Sequence, residues 1–238
     1  MLLRLIALLC LFAMPVAAKP NVVLILVDDM SMNLMPDAAL GTMPNLAAMQ
    51  ADGVTFSNYF VTESLCCPSR ASIFTGMLPH NTGVLTNVPP HGGLAAFTAN
   101  GNEARVFSLP LQAGGYKTAF MGKYLNGWRA TTSLIPPGWR KWVSPNPAYR
   151  GYNYTVNIDG VVSNPPDHFT DLISDLGKAW IRVSRQPFFI ELAPFAPHSP
   201  YVPAARHAAL FPGAVMPKTP AYNYRPDASA PAWLQAVP

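Results

Sequence analysis

Asn21-Val22-Val23-Leu24-Ile25-Leu26-Val27, closed by Asp28-Asp29, is the stretch on which the fold class turns. Seven residues without a charge, mostly β-branched, predict a strand buried on both faces of a parallel sheet. Its two acids stand at the carboxyl end of that strand, where open α/β sheets build their sites. Working outward, Phe188–Leu192 and Tyr116–Met121 read as further strands. Phe169, Leu172, Ile173, Leu176, Trp180 and Val183 recur at helical spacing and predict a helix over 167–185. Shorter helices are expected at Pro44–Ala51, at Pro68–Thr75 (opened by Pro68, closed by Gly76) and at Phe107–Ala113. The alternating, aromatic Val54–Val61 reads as a strand, and 129–166 as loops with one hairpin turning at Asp159-Gly160. Strands alternating with helices specify a layered α/β domain.

Composition narrows the class. The 238 residues are 50% hydrophobic and 12% charged, with 26 Pro. Charge is about half, and proline about twice, the usual share. A chain this apolar is not intrinsically disordered, and three cysteines cannot staple a chain of this length into a disulfide miniprotein. The net charge of +4 is thinly spread, without the basic stripe of a nucleic-acid binder. It suits an anionic substrate. After Gln186 the sequence turns proline-rich.

Residues 1–18 carry Arg4, an unbroken apolar run from Leu5 to Met14, and small residues Val16-Ala17-Ala18. This predicts a secretory signal peptide and an exported protein, periplasmic or secreted. The run falls short of the roughly 20 apolar residues a membrane span needs, and no later segment spans a membrane. Cleavage would leave Cys66 and Cys67 as the cysteines of residues 19–238. Adjacent cysteines are poor disulfide partners, so the pair calls for another explanation.

That explanation lies in Ser64-Leu65-Cys66-Cys67-Pro68-Ser69-Arg70-Ala71-Ser72. A cysteine just ahead of a helix opened by Pro68 faces free N–H groups and the positive end of the dipole, which favours an anion there. Arg70, one turn on, can aim its planar fork at an oxyanion. Cys66-x-Pro68-x-Arg70 followed by Thr75-Gly76 resembles the sulfatase signature. The resemblance extends to Lys19-Pro20-Asn21 through Asp28-Asp29, Thr42 to Leu46, Leu78-Pro79-His80-Asn81, Gly122-Lys123-Tyr124-Leu125-Asn126 and Ala196-Pro197-His198-Ser199-Pro200. It covers nearly all of 19–210, and the last three of these segments, with the double cysteine, are closest to the N-acetylglucosamine-6-sulfatase-like branch.

The resemblance implies an alkaline-phosphatase-like three-layer α/β fold with a mostly parallel central sheet, C-terminally incomplete, over 19–238. It implies that Cys66 is oxidised to formylglycine by a formylglycine-generating enzyme. It assigns Asp28, Asp29 and residue 66 to a divalent metal, Ca²⁺, for which carboxylate oxygens are suitable donors. The hydrated aldehyde would attack the sulfur of an ester, form a covalent sulfate half-ester, and regenerate the aldehyde on expelling sulfate. Arg70 would hold the aldehyde hydrate and Lys123 would neutralise sulfate oxygens. His198 would bind sulfate or protonate the leaving group. His80 and Asn126 are substrate-contact candidates. Asn126 would stand in for the histidine that many sulfatases carry where this chain has Leu125. The implied substrate is a sulfated carbohydrate, such as a 6-O-sulfated N-acetylglucosamine.

The family also carries a downstream Asp-Asn-Gly segment and a second lysine; no Asp-Asn pair occurs in this sequence. Two alternatives therefore stand beside a sulfuric ester hydrolase. One is a catalytically inactive truncated or split-gene fragment. The other is a phosphodiester or phosphonate ester hydrolase of the same superfamily, since both ester classes are tetrahedral.

Overall fold

The computed structural model describes residues 18–31, 42–131, 134–147, 149–185, 187–215, 218, 222 and 228–235. Nearly all of the predicted leader lies outside them. The chain divides into two compact units, Met1–Val202 and Pro203–Pro238. Among its described residues the second unit holds a 3₁₀ turn, Ala205–His207, and a short helix, Ala232–Gln235, neither with a buried residue. No described helix is long and apolar enough to cross a membrane.

The first unit is built on a six-stranded sheet. In chain order its elements are β1 (Val22–Ile25), α1 (Pro44–Asp52), α2 (Cys66–Thr75), α3 (Pro79–Thr82), α4 (Gly93–Ala99), α5 (Ser108–Ala113), β2 (Lys117–Gly122), β3 (Lys141–Asn146), β4 (Thr155–Ile158), β5 (Val161–Ser163), α6 (Phe169–Val183) and β6 (Phe188–Ala193). The spatial order is β1-β6-β2-β3-β4-β5. β1, β6, β2 and β3 run parallel; β4 and β5 complete the sheet as an antiparallel hairpin through Asp159-Gly160.

Alternation along the inner strands assigns side chains to two cores. Phe189 and Ala193 of β6, Phe120 of β2 and Trp142 of β3 join Cys67, Ala71 and Phe74 of α2 and Phe97 of α4 on one face. Phe188 and Ile190, Ala119 and Met121, and Val143 join Phe169 and Ile173 of α6 on the other. Phe74, Phe120, Tyr124 and Trp142 stack and tilt against one another at centroid distances of 4.8 to 6.0 Å. Deleting a buried ring of this kind typically costs about 3–5 kcal/mol. α6 is capped by His168, whose Nδ1 accepts the Thr170 N–H, and carries Asp171 in its first turn and Arg182 in its last, both matched to the dipole.

Several expectations change. β1 is parallel, but it occupies the sheet edge, and Val22, Val23 and Ile25 are exposed rather than buried on two faces. Val54–Val61 forms no strand; Val54, Phe56, Tyr59, Phe60 and Val61 are exposed. Alternation signals a strand only where a sheet edge is available to pair it, and among the described residues none pairs here. Within 129–166 the sequence hid β3, because Pro145 reads as a breaker. Pairing with β2 ends at Val143, so Pro145 sits where that edge makes no ladder bond. α2 begins at Cys66, so Pro68 lies inside its first turn rather than at its opening.

Candidate active site

The site gathers at the carboxyl edge of the parallel strands. Asp28 follows β1 and makes an isolated parallel bridge with Pro197, which follows β6. That bridge carries the β1–β6 register past the strand ends and brings Asp29 beside His198. Asp29 takes a positive φ of 58°, a conformation uncommon outside glycine and concentrated at functional sites. Gly122 closes β2 at φ +144°, and a Cβ there would lie 2.0 Å from the Ala193 carbonyl oxygen. Only glycine lets β2 press against β6 at this point, and the Lys123 N–H then donates to that same carbonyl at 2.8 Å.

α2 explains the two cysteines. Successive residues on a helix point about 100° apart. Cys67, Arg70, Ala71 and Phe74 face inward and are buried; Cys66 turns toward a cavity of about 500 Å³ that it lines with Asp28, Asp29 and Arg70. Both thiols are free. Burial, only partly offset by hydrogen bonds from the Asn126 and Gly93 backbone, pushes Cys67 up to about 11. Arg70 lies one turn beyond Cys66, the spacing that puts two side chains on one stripe. Gly76 closes the helix in the left-handed conformation and donates to Ser72 O.

Three buried charges form the base of the site. Arg70 Nη2 lies 3.4 Å from Asp28 Oδ1, and Lys123 Nζ pairs with Asp28 Oδ2. Arg70 Nη1 also donates to the Lys123 carbonyl at 2.6 Å. Burial alone would lower the Lys123 ammonium, but the Asp28 carboxylate outweighs it and holds it above the usual range. The ammonium also lies over the rings of Tyr149 and Phe195, at 5.0 and 5.5 Å. Two cations share one carboxylate, so the base of the cleft carries net positive charge suited to an anion.

At the rim, His198 Nδ1 lies 2.6 Å from the Ser199 carbonyl, to which it can only donate. A neutral ring then presents its Nε2 lone pair to Asp29 Oδ2 at 3.3 Å. Two acceptors so placed are satisfied by a cation between them, either a proton or a metal ion. Asp28, Asp29, Cys66 and His198 each offer a donor atom, all within 4.8 Å of one another. The sequence placed the first three together as ligands and gave His198 a different task. Tyr149, whose ring lies 4.6 Å from that of His198, carried no sequence signal. Asn126 lines a second cavity with Lys123, and its backbone carbonyl accepts from Leu94 N. His80 is exposed on α3 and lines neither cavity.

Comparison with known proteins bears on the family and the fold. The Sulfatase family model matches residues 20–223. Human N-acetylglucosamine-6-sulfatase is 34% identical over 233 residues, covering 90% of this chain and 41% of that protein. The Drosophila melanogaster extracellular sulfatase SULF-1 homolog is 33% identical over 220 residues, 88% of this chain and 19% of that protein. The structure of BT4656 in complex with D-glucosamine-2-N,6-O-disulfate superposes with a TM-score of 0.70 at 25% identity, over 85% of this chain and 39% of that one. The chain spans less than half the length of these relatives. Helices on both faces of a mostly parallel sheet are the alkaline-phosphatase-like architecture of such neighbours. The chain belongs to the sulfatase family.

Proposed function

We propose that this cluster hydrolyses sulfate esters borne on a sugar, and that the protein works after export. The reading is supported chiefly by the convergence of Asp28, Asp29, Cys66, Arg70, Lys123 and His198, drawn from four separate sequence segments, on one strand edge with a net positive base. Lys123 and Arg70 orient the anionic ester by charge, and being buried and tied to Asp28 they need little reorganisation. His198 holds a proton at Nε2 for the departing sugar oxygen. Tyr59, Phe60 and Val61 also line that cavity, on its exposed side.

Formylglycine at position 66, made by a formylglycine-generating enzyme, supplies when hydrated an oxygen nucleophile that a thiol or a serine cannot regenerate. The donor set fits a divalent cation. Asp28, Asp29 and an oxygen at residue 66 would hold it, with His198 beside them left free to carry its proton. Ca²⁺ suits the oxygen donors and would supply Lewis-acid polarisation of the ester. The mono- or oligosaccharide 6-sulfates suggested by the N-acetylglucosamine-6-sulfatase relatives are the substrates to try.

The test is mass spectrometry of the Cys66 peptide from a host that performs the conversion, followed by assay of paired aryl esters. A loss of roughly 18 Da and sulfate hydrolysis abolished by Cys66→Ala are the expected results. An unmodified thiol, or a preference for the phosphate ester, overturns the reading.

A further inference from the structure

Tyr149 lies against two members of the site at once. The Lys123 ammonium sits over its ring, 5.0 Å from the centroid, and the His198 imidazole packs on it at 4.6 Å, tilted by 48°. Phe195 meets Tyr149 edge to face at 4.7 Å and lies 5.5 Å from the same ammonium. These groups come from separate places in the chain. Lys123 follows β2, Tyr149 follows β3, and His198 follows β6. Phe195 belongs to the core under α6, and Tyr149 packs against that core, so its ring has a firm seat.

Each partner needs what the ring offers. Asp28 pairs with the Lys123 ammonium, and the two aromatic faces attract it as well. Lys123 is 3% exposed, and a cation so far out of water gains most from a ring. His198 Nδ1 donates to the carbonyl of Ser199, the next residue, a bond that ties the imidazole to its own turn and to nothing beyond it. Asp29 Oδ2, at 3.3 Å, is an acceptor facing an acceptor when the ring is neutral, and holds it only with a proton between them. Tyr149 therefore restrains the neutral imidazole from another part of the fold.

We infer that Tyr149 is a positioning residue, whose ring fixes the spacing between the Lys123 ammonium that meets the sulfate oxygens and the His198 imidazole that meets the leaving oxygen. The inference rests on the sulfatase reading of the cluster. Both contacts are made to the ring, so the hydroxyl is dispensable and phenylalanine serves as well. Leucine or methionine keeps apolar volume but offers no π face. Lys123 then stays paired with Asp28 and loses a restraint, while His198 turns about its Cβ–Cγ bond and presents either nitrogen.

Two measurements on the full chain with Cys66 unconverted, and so independent of turnover, test this in wild type, Tyr149→Phe, Tyr149→Leu and Tyr149→Met. The methionine variant adapts to an irregular site and covers the case in which the leucine variant does not fold. Calorimetry gives the affinity for inorganic sulfate. Nitrogen NMR of chain labelled at its histidines, at a pH where the imidazoles are neutral, gives the tautomer of His198, whose signals are those missing from His198→Gln. Wild type and Tyr149→Phe should share one sulfate affinity and a single Nδ1–H tautomer. Tyr149→Leu and Tyr149→Met should bind sulfate about tenfold more weakly and show both tautomers. A role in stability alone would lower the urea midpoint and leave both readings of the folded chain unmoved. Wild-type values of either reading in Tyr149→Leu or Tyr149→Met overturn the inference. A loss in Tyr149→Phe equal to that in Tyr149→Leu also overturns it, by assigning the effect to the hydroxyl. If wild type binds no sulfate while the tautomers differ as expected, the sulfatase reading falls and the hold of Tyr149 on His198 stands.

Discussion

Glu191→Gln should make the protein more stable at neutral pH than at acidic pH relative to wild type, by an amount the structure sets. Glu191 lies at the centre of β6, opposite Leu24 of β1 and Phe120 of β2, on the face that packs under α2. It is 0% exposed, and neither carboxyl oxygen has a partner among the described residues. Burial pushes it up from 4.5 to about 7, against a smaller opposing pull from Arg70. Below pH 4.5 the group is protonated in both states and contributes nothing. Between 4.5 and about 7 it ionises only in the unfolded chain, which draws the equilibrium toward unfolding; above 7 the loss levels off. At 1.36 kcal/mol per pH unit, that span corresponds to about 3 kcal/mol. The amide has the same shape and does not titrate. Urea unfolding followed by tryptophan fluorescence, from pH 4 to 8, should give wild-type and variant curves that diverge by about 3 kcal/mol across this window. Titrations elsewhere in the chain cancel in the difference. Curves parallel to within about 0.5 kcal/mol would refute the assignment of Glu191 as a buried acid without a partner.

Three further outcomes are expected. Lys123→Met leaves Asp28 buried with Arg70 alone and should destabilise by about 3 kcal/mol in denaturant unfolding; a loss below about 1 kcal/mol would show the pair to be solvated. Gly122→Ala forces a Cβ into the Ala193 carbonyl at φ +144° and should cost about 2–4 kcal/mol, read as a lowered Tm; an unchanged Tm would contradict the β2–β6 approach. In chain whose cysteines are unconverted, a maleimide reagent should label Cys66 and spare Cys67 until the protein unfolds, as seen by peptide mass spectrometry; equal labelling of the native protein would place Cys67 at the surface.

Much of the architecture is local physics. α6 is readable because its apolar residues repeat at 3.6, and β2 and β6 because they are short, mostly apolar runs. The acids after β1 and the cysteine before Arg70 stand out for the same reason, since the residue types and spacings alone suggest anion and cation chemistry. Sequence could not tell that β1 takes the sheet edge, because burial on two faces depends on which strands flank it. It could not recover β3 through Pro145, nor reject a strand at 54–61.

By itself the sequence determined the fold class, the strand end that carries the acids, and a helix beside the paired cysteines, because periodicity and residue chemistry act over a few neighbours. Only the tertiary structure decided which cysteine faces the cleft, that His198 joins the acids, and that two buried cations share Asp28. It also decided that Tyr149 lies against both Lys123 and His198. Those facts depend on the sheet order β1-β6-β2-β3, which brings together residues 28, 66, 123 and 198 by lateral pairing that no local pattern encodes.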